Sequence, residues 1–248
     1  MTGTVSKMRK VWEDSFAAQV AEKAYNTSAV ESVVRSVAYY VRGMKPEELR
    51  RMRFLEMGCG AGPNLVWLAQ KGIEASGIDI SPTALELCRR NLRSAGLSSR
   101  VGTLVEGSVT SVPLADGGFD GVIESCVFQH LTKEDRVAAF KEVGRLLRPG
   151  GLFVGYLLDR GHTVYNKRKA EELSDDPGTL VLKEGKSRFY LTNIGLSHFF
   201  AKSEFSRLLP GFKVVDPCLA TYFIPKDEAL RRGYPEYRQS MWIVYAVK

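Results

Sequence analysis

The chain has 248 residues, of which 44% are apolar and 25% are charged, a composition typical of a globular protein with a buried core. No segment approaches 18 consecutive apolar residues, so we expect no transmembrane helix. Residues 1–10 lack the apolar stretch of a signal peptide, which favours a cytoplasmic location. The four cysteines are widely spaced and form no CxxC pair, which predicts free thiols and no metal site.

The net charge of +7 raises the question of a nucleic-acid partner or an anionic substrate. The lysine and arginine residues are dispersed along the chain, however, as they are on an ordinary solvated surface. We therefore expect neither a nucleic-acid partner nor association with a membrane. The pattern of residues does not indicate an oligomeric state.

Residues 1–50 carry apolar side chains at helical spacing and are predicted to be helical. From residue 53 the pattern changes to alternating short strands and helices, which predicts parallel strands joined by helical crossovers. The predicted strands are 54–57, 75–80, 102–106, 119–125 and 152–158. The predicted helices between them are 64–71, 82–95 and 133–147.

After the fifth predicted strand, the alternation stops and the chain becomes rich in charge, so we interpret the following residues as an insertion. A helix is predicted over 203–209, followed by two strand-like segments at 212–220 and 242–247. We expect these two segments to form an antiparallel hairpin that closes one edge of the sheet.

A glycine-rich turn follows the first predicted strand and opens a helix. Its glycines, at positions 58, 60 and 62, allow a tight turn and a close approach of the backbone to a ligand. That ligand would then meet the backbone N–H groups at the start of the helix. A nicotinamide or flavin site has the spacing Gly-x-Gly-x-x-Gly, whose last glycine would fall at Pro63. The spacing therefore argues against such a cofactor.

The segment Glu56-Met57-Gly58-Cys59-Gly60-Ala61-Gly62 closely resembles the first motif of the class I S-adenosylmethionine-dependent methyltransferases. Further segments that resemble this family follow in order at 77–81, 107–114, 119–123 and 147–151. The resemblance implies an α/β fold, a Rossmann-like three-layer sandwich with a mostly parallel seven-stranded sheet. We also expect a helical lid over residues 1–50, a cofactor-binding domain over 51–248 and, within it, an acceptor-side insertion at 160–200.

The resemblance implies that S-adenosyl-L-methionine binds at the carboxyl ends of the strands. Asp79 is then placed to accept hydrogen bonds from two ribose hydroxyls, or alternatively to cap the following helix. Glu56 is placed to face the methionine ammonium. Ile80 and Val127 are candidates to enclose the adenine, or are core residues. The other candidate cofactor-binding residues are Gly58, Cys59, Gly60, Asn64, Ser108, Val109 and Ser125.

Methyl transfer from a sulfonium requires an aligned acceptor and the exclusion of water, and it requires a base only where the acceptor must lose a proton. The candidate catalytic residues are His130, His162 and Tyr165. His130 is alternatively a packed histidine at a helix start, and Tyr165 a packing residue. Lys167 and Arg168 are candidates to hold an anionic acceptor, or are solvated.

We predict an O- or N-methyltransferase that acts on a small molecule. One alternative is an RNA- or protein-modifying methyltransferase. The motif of base amino-group methyltransferases, Asn/Asp-Pro-Pro-aromatic, is replaced after the fourth strand by Glu124-Ser125-Cys126-Val127, which disfavours that class. A second alternative is a nucleotide-binding domain without methyl transfer, which the position of Pro63 disfavours.

Overall fold

The computed structural model describes residues 3–182 and 195–248. The helices are α1 (Gly3–Ala21), α2 (Glu31–Tyr40), α3 (Pro46–Leu49), α4 (Pro63–Gln70), α5 (Pro82–Ser94), α6 (Lys133–Leu146), α7 (Thr163–Arg168), α8 (Glu204–Leu208) and α9 (Lys226–Arg231). The strands are β1 (Arg53–Met57), β2 (Glu74–Asp79), β3 (Val101–Glu106), β4 (Phe119–Ser125), β5 (Leu147–Leu158), β6 (Thr179–Leu182), β7 (Gly195–His198), β8 (Lys213–Phe223) and β9 (Arg238–Val247). Within these ranges, none of the helices has the length and apolar character needed to cross a bilayer.

Seven of the described strands form one sheet in the order β3-β2-β1-β4-β5-β9-β8. The first five strands of the chain pair in parallel, whereas β9 is antiparallel to both β5 and β8. This arrangement confirms the predicted Rossmann-like α/β fold with its mostly parallel seven-stranded sheet. The predicted antiparallel hairpin at the sheet edge is confirmed as well.

Both faces of the sheet are covered by helices, which gives three layers with a hydrophobic core on each side. One core includes Phe140 of α6 against Phe153 of β5. The other includes Leu65 of α4 and Val33 of α2 against Phe54 of β1. Because helices cover both faces of the sheet, β1 and β4 are buried along most of their length.

The two closing strands are longer than the apolar segments predicted for them. β8 extends to Phe223 and β9 begins at Arg238, and these two residues are cross-strand partners. Polar and aromatic residues that looked like part of a loop therefore belong to the hairpin, because strand pairing continues beyond the segment that is buried.

The described parts of the predicted insertion, residues 160–182 and 195–200, contain α7 and the antiparallel pair of β6 and β7. Residues 183–194 of the insertion lie outside the described part of the chain. At the other end, α1 lines the cavity described below, whereas α2 packs into the core through Val33 and Val37. The division of the chain at residue 50 stays a prediction.

Candidate active site

A cavity of about 1500 Å³ lies at the carboxyl ends of β1 to β4 and is covered on one side by α1. In open parallel sheets this edge is where ligands bind. All eleven residues that the sequence suggested for cofactor binding line this cavity: Glu56, Gly58, Cys59, Gly60, Asn64, Asp79, Ile80, Ser108, Val109, Ser125 and Val127. His130, one of the three candidate catalytic residues, lines it too.

The glycine turn between β1 and α4 requires glycine for reasons of backbone and of space. Gly58 and Gly62 have φ angles of +84° and +77°, in the left-handed region that other residues rarely adopt. A Cβ atom on Gly58 would overlap the Val127 side chain, and one on Gly62 would overlap the Cys88 sulfur. A side chain therefore fits at neither position, and Gly58 lines the cavity.

Asp79, at the end of β2, joins the glycine turn to the start of α5. Its Oδ2 atom accepts a hydrogen bond of 2.8 Å from the Gly60 N–H, and its Oδ1 atom accepts one of 2.9 Å from the Ser81 N–H. Burial raises the pKa of this carboxyl although the backbone N–H groups oppose the rise. The helix cap that one interpretation assigned to Asp79 is made by the Ser81 side chain, which accepts from the Ala84 N–H; Asp79 holds Ser81 and faces the cavity.

Glu56, near the end of β1, presents a buried carboxylate to the same cavity. Its Oε1 atom accepts a hydrogen bond of 2.6 Å from the Asn64 side chain. Its Oε2 atom is buried and has no hydrogen-bond partner in the described part of the chain. Burial raises the pKa of Glu56 to about 8. A buried carboxyl oxygen without a partner is costly, and a cationic ligand beside it would favour the ionised form and supply the missing partner.

The turn after β4 is held together by Glu124, a buried residue to which the sequence pattern assigned no role. Its Oε1 atom accepts hydrogen bonds from the N–H groups of Val127 at 2.6 Å and Phe128 at 3.0 Å. Burial raises the pKa of Glu124 to about 7. Cys126, within the turn, has a φ angle of +62°, unusual for a residue other than glycine. In the sequence, the sign of this turn is an acidic residue near the end of the fourth predicted strand.

His130 ends a short 3₁₀ turn, Phe128–His130, and is buried in the cavity wall. Its Nδ1 atom lies 3.0 Å from the carbonyl oxygen of Leu196 in β7. Its Nε2 atom lies 3.3 Å from the side-chain nitrogen of Gln129. The Trp12 ring of α1 packs against the imidazole with ring centroids 5.5 Å apart. Burial lowers the pKa of His130 to about 4, so the ring is neutral at physiological pH.

The other two candidate catalytic residues lie in the insertion, outside the set of described residues that line the cavity. His162 packs between Phe199 and Tyr237, with ring centroids at 5.6 and 5.3 Å. The Tyr165 hydroxyl donates a hydrogen bond of 2.8 Å to Glu172. Tyr165 belongs to a small separate core that α7 forms with β6, so the structure does not bring these two residues to His130.

The candidate anion-binding residues of α7 are also absent from the described cavity lining. Arg168 is instead paired with Glu171, at a closest distance of 2.5 Å. The charged residues of the described lining are all acidic, namely Asp14, Glu22, Glu56 and Asp79. This part of the cavity therefore favours a cationic ligand. Among residues 3–182 and 195–248, no group of His, Cys, Asp and Glu is arranged to hold a metal ion.

Helix α1 closes the cavity from above, and the sequence pattern did not indicate how it is fixed. Glu13 accepts hydrogen bonds from the Ser81 hydroxyl at 2.6 Å and from the Thr83 N–H at 3.2 Å, both at the start of α5. Phe16, one turn of α1 further on, lies directly over the glycine turn: its Cζ atom is 3.1 Å from the point where a Cβ atom on Gly60 would be.

Comparison with known proteins agrees with this geometry. The family model described as a methyltransferase domain matches residues 55–155. Methyltransferase GfsG from Streptomyces halstedii is 32% identical over 184 residues, which are 67% of this chain and 63% of that protein, so the match spans less than two thirds of its length. A fatty-acid O-methyltransferase from Mycolicibacterium smegmatis is 32% identical over 83% of this chain and 70% of that protein.

Among solved structures, a methyltransferase from Methanosarcina mazei, described as dependent on S-adenosylmethionine, superposes with a TM-score of 0.63. It is 21% identical to this chain, and the superposition covers 79% of this chain and 92% of that one, which shows the shared fold. Together with the glycine turn at the end of β1, these matches show that the chain belongs to the class I S-adenosylmethionine-dependent methyltransferases.

Proposed function

We propose that this protein transfers the methyl group of S-adenosyl-L-methionine to an oxygen or nitrogen atom of a small molecule and releases S-adenosyl-L-homocysteine. The observation that carries the proposal is the buried Glu56 carboxylate, whose Oε2 atom lacks a partner among the described residues and lines a cavity beside the glycine turn. The free cofactor carries an ammonium and a sulfonium, and the acidic lining of the cavity suits both charges.

The residues present fit this cofactor. Glu56 would hold the methionine ammonium, and Asp79 would accept from the ribose hydroxyls. Ile80 and Val127 would pack against the adenine, while Ser108 and Val109 would border its edge. When bound, the cofactor supplies a methyl group that is already activated by the positive sulfur. The remaining candidate cofactor-binding residues, Gly58, Cys59, Gly60, Asn64 and Ser125, would complete the wall around it.

The cavity also has room for an acceptor. Its volume of about 1500 Å³ exceeds the roughly 300–1,000 Å³ typical of a site for one small ligand. His130 and Leu131 of the turn after β4 and Trp12 of α1 form a wall that the proposed cofactor contacts leave free. We assign the acceptor to this wall, where the neutral imidazole of His130 can accept the proton of a hydroxyl or amine.

The position of α1 supports a small acceptor over RNA or protein. A polymer would have to pass beneath a helix that is fastened to α5 through Glu13 and that packs Trp12 against His130. The described lining contains neither lysine nor arginine, which supports an uncharged acceptor over the anionic one that the sequence suggested. Lys167 and Arg168 therefore have no part in the proposed site.

Calorimetry with S-adenosylmethionine, S-adenosylhomocysteine and NAD tests the cofactor assignment. We expect both sulfur nucleosides to bind and NAD not to bind, and binding of NAD alone would overturn the proposal. A second assay would incubate the protein with cofactor carrying a radioactive methyl group and with small-molecule, RNA and protein fractions of a cell extract. Label that appeared only in the RNA or protein fraction would contradict the proposed acceptor class.

A further inference from the structure

We infer that Gln129 is a positioning residue that holds His130 in one tautomer, with the proton on Nδ1 and the lone pair on Nε2. The inference rests on the proposed function, in which His130 accepts a proton from the acceptor. Gln129 itself is buried and is not among the described residues that line the cavity, so it acts through the histidine.

The orientation of the Gln129 side-chain amide is fixed by the end of β5. The backbone N–H of Leu158 donates a hydrogen bond of 2.9 Å to a side-chain atom of Gln129. Because an N–H group can only donate, that atom must be the amide oxygen, Oε1. The amide nitrogen, Nε2, therefore faces the other way, where it lies 3.3 Å from the Nε2 atom of His130.

The contact between these two nitrogens determines the protonation of the imidazole. A side-chain amide nitrogen has hydrogens to donate and cannot accept a hydrogen bond. The Nε2 atom of His130 must therefore be the acceptor and carry no proton. A protonated Nε2 would place two donors opposite each other in a site where both side chains are only 5% exposed.

A second contact, from a different part of the chain, requires the same tautomer. The Nδ1 atom of His130 lies 3.0 Å from the carbonyl oxygen of Leu196 in β7. A carbonyl oxygen can only accept, so Nδ1 carries the proton. Two independent partners thus agree, and together they define a neutral ring whose basic atom is Nε2.

This arrangement gives each partner of His130 a separate task. The Leu196 carbonyl anchors Nδ1, and Trp12 limits tilting of the ring. Gln129 keeps Nε2 free of a proton, which is the state needed to take one from an acceptor O–H or N–H. Its hydrogen bond to Nε2 is long, at 3.3 Å, and therefore weak, so an acceptor can compete with it for the same lone pair.

Nuclear magnetic resonance of the full-length protein tests the inference directly. The chain has only three histidines, so long-range ¹H–¹⁵N correlations with ¹⁵N-labelled histidine resolve each ring, and single substitutions of the other two assign them. For the wild-type protein at pH 7 we expect His130 to show the proton on Nδ1. A proton on Nε2 of His130 would overturn the inference, whatever any variant does.

The variant Gln129→Glu changes only the group that faces the histidine. Its carboxylate still accepts from the Leu158 N–H but offers no hydrogen to His130. We expect Nε2 to gain a proton while Nδ1 keeps its own on the Leu196 carbonyl, and the proton affinity of His130 to rise about 10- to 1,000-fold, because an anion now lies beside it. The matched control is Gln70→Glu, at the exposed end of α4, which should leave all three histidine spectra unchanged.

Binding of S-adenosylhomocysteine, measured on the same samples, separates this inference from the proposed function. Unchanged affinity in Gln129→Glu, together with an altered His130 spectrum, would support a positioning role. If the variant bound the nucleoside but left the His130 spectrum unchanged, the positioning role would be overturned. If the wild-type protein failed to bind it, the proposed function would fail although the tautomer could still be observed.

Discussion

The Glu13 carboxylate accepts a hydrogen bond of 2.6 Å from the Ser81 hydroxyl and thereby fastens α1 to the first turn of α5. The same carboxylate accepts from the Thr83 N–H at 3.2 Å, so a negative charge lies at the positive end of a helix dipole. Since α1 also carries Trp12 and Phe16 over the cavity, this latch determines how well the cavity is closed.

We expect Glu13→Gln to weaken the latch, because a neutral amide accepts more weakly than a carboxylate and also presents a donor to its partners. Hydrogen bonds to charged groups contribute about 1.5–3 kcal/mol, so S-adenosylhomocysteine should dissociate about 10- to 100-fold faster. Stopped-flow displacement measures the rate, and hydrogen exchange of residues 3–21 measures opening of the helix. Glu47→Gln, at an exposed position on α3, is the control and should change neither.

The latch should also respond to pH. Burial raises the pKa of Glu13, but the hydrogen bonds from Ser81 and Thr83 outweigh it and hold the pKa below the ordinary value of 4.5. The carboxylate therefore stabilises the closed helix fully above that value and loses its effect as the pH falls through its own lower pKa. We expect the protection of α1 against hydrogen exchange, relative to the intrinsic exchange rate at each pH, to fall below pH 4.5 in the wild-type protein more than in Glu13→Gln. An equal loss of protection in both would contradict the latch.

The buried carboxyl of Glu56, the proposed partner of the cofactor ammonium, lowers the stability of the cofactor-free protein when it is ionised. Its pKa of about 8 lies above the ordinary value of 4.5, so its stabilising contribution is complete below 4.5 and is lost as the pH rises through 8. The amide of Glu56→Gln does not titrate. Without cofactor, the variant should therefore gain stability relative to the wild type between pH 6 and pH 9, by at most about 3 kcal/mol.

Denaturant unfolding at pH 6 and at pH 9 measures this difference in stability. Calorimetry should show that Glu56→Gln binds S-adenosylmethionine at least about 100-fold more weakly, because the ammonium loses an ionic partner. If the difference in stability between the variant and the wild type were the same at pH 6 and at pH 9, the pKa of Glu56 would be ordinary.

Gly58 allows the turn after β4 to pack beneath the glycine turn. Gly58→Ala should destabilise the fold through both its φ of +84° and the overlap with Val127. Gly150→Ala is the matched control, since its φ is +75° but no atom lies within 4 Å of the added Cβ. We expect about 1–3 kcal/mol for the control and a larger loss for Gly58→Ala. The double variant Gly58→Ala, Val127→Ala should recover part of that excess, as measured by denaturant unfolding.

Arg136 and Asp176 form a buried ion pair at 2.6 Å, with side chains 5% and 12% exposed. Removing one partner leaves an uncompensated charge, so Arg136→Ala should lower the free energy of unfolding by about 3–5 kcal/mol. Arg168→Ala breaks a pair that is 31% and 56% exposed and should cost less than about 1 kcal/mol. Similar losses in the two variants would show that the buried pair is not special.

The parts of the site that the sequence predicted are those that depend on local backbone geometry. The glycine turn, Asn64 one residue after Pro63, and Asp79 at a strand end are recognisable because strand, turn and helix follow one another directly. Their common position on one cavity follows from parallel strands, whose carboxyl ends share an edge.

The parts of the site that the sequence did not predict depend on contacts between residues that are far apart in the chain. Glu13 and Ser81 are 68 positions apart, and His130 and Leu196 are 66 apart, so no local pattern indicates either contact. His162 and Tyr165 had the right chemistry for a catalytic role, but their aromatic neighbours place them in a separate small core. Residue type alone does not distinguish a histidine or tyrosine that lines the cavity from one that packs in a separate core.

The partner that anchors His130 is a main-chain oxygen. Every amino acid brings the same carbonyl to position 196, so the anchor does not depend on which residue occupies it. A substitution at position 196 that keeps the path of the backbone therefore leaves the contact with the imidazole in place. The contact constrains the backbone of β7 and leaves the side chain at that position free to vary.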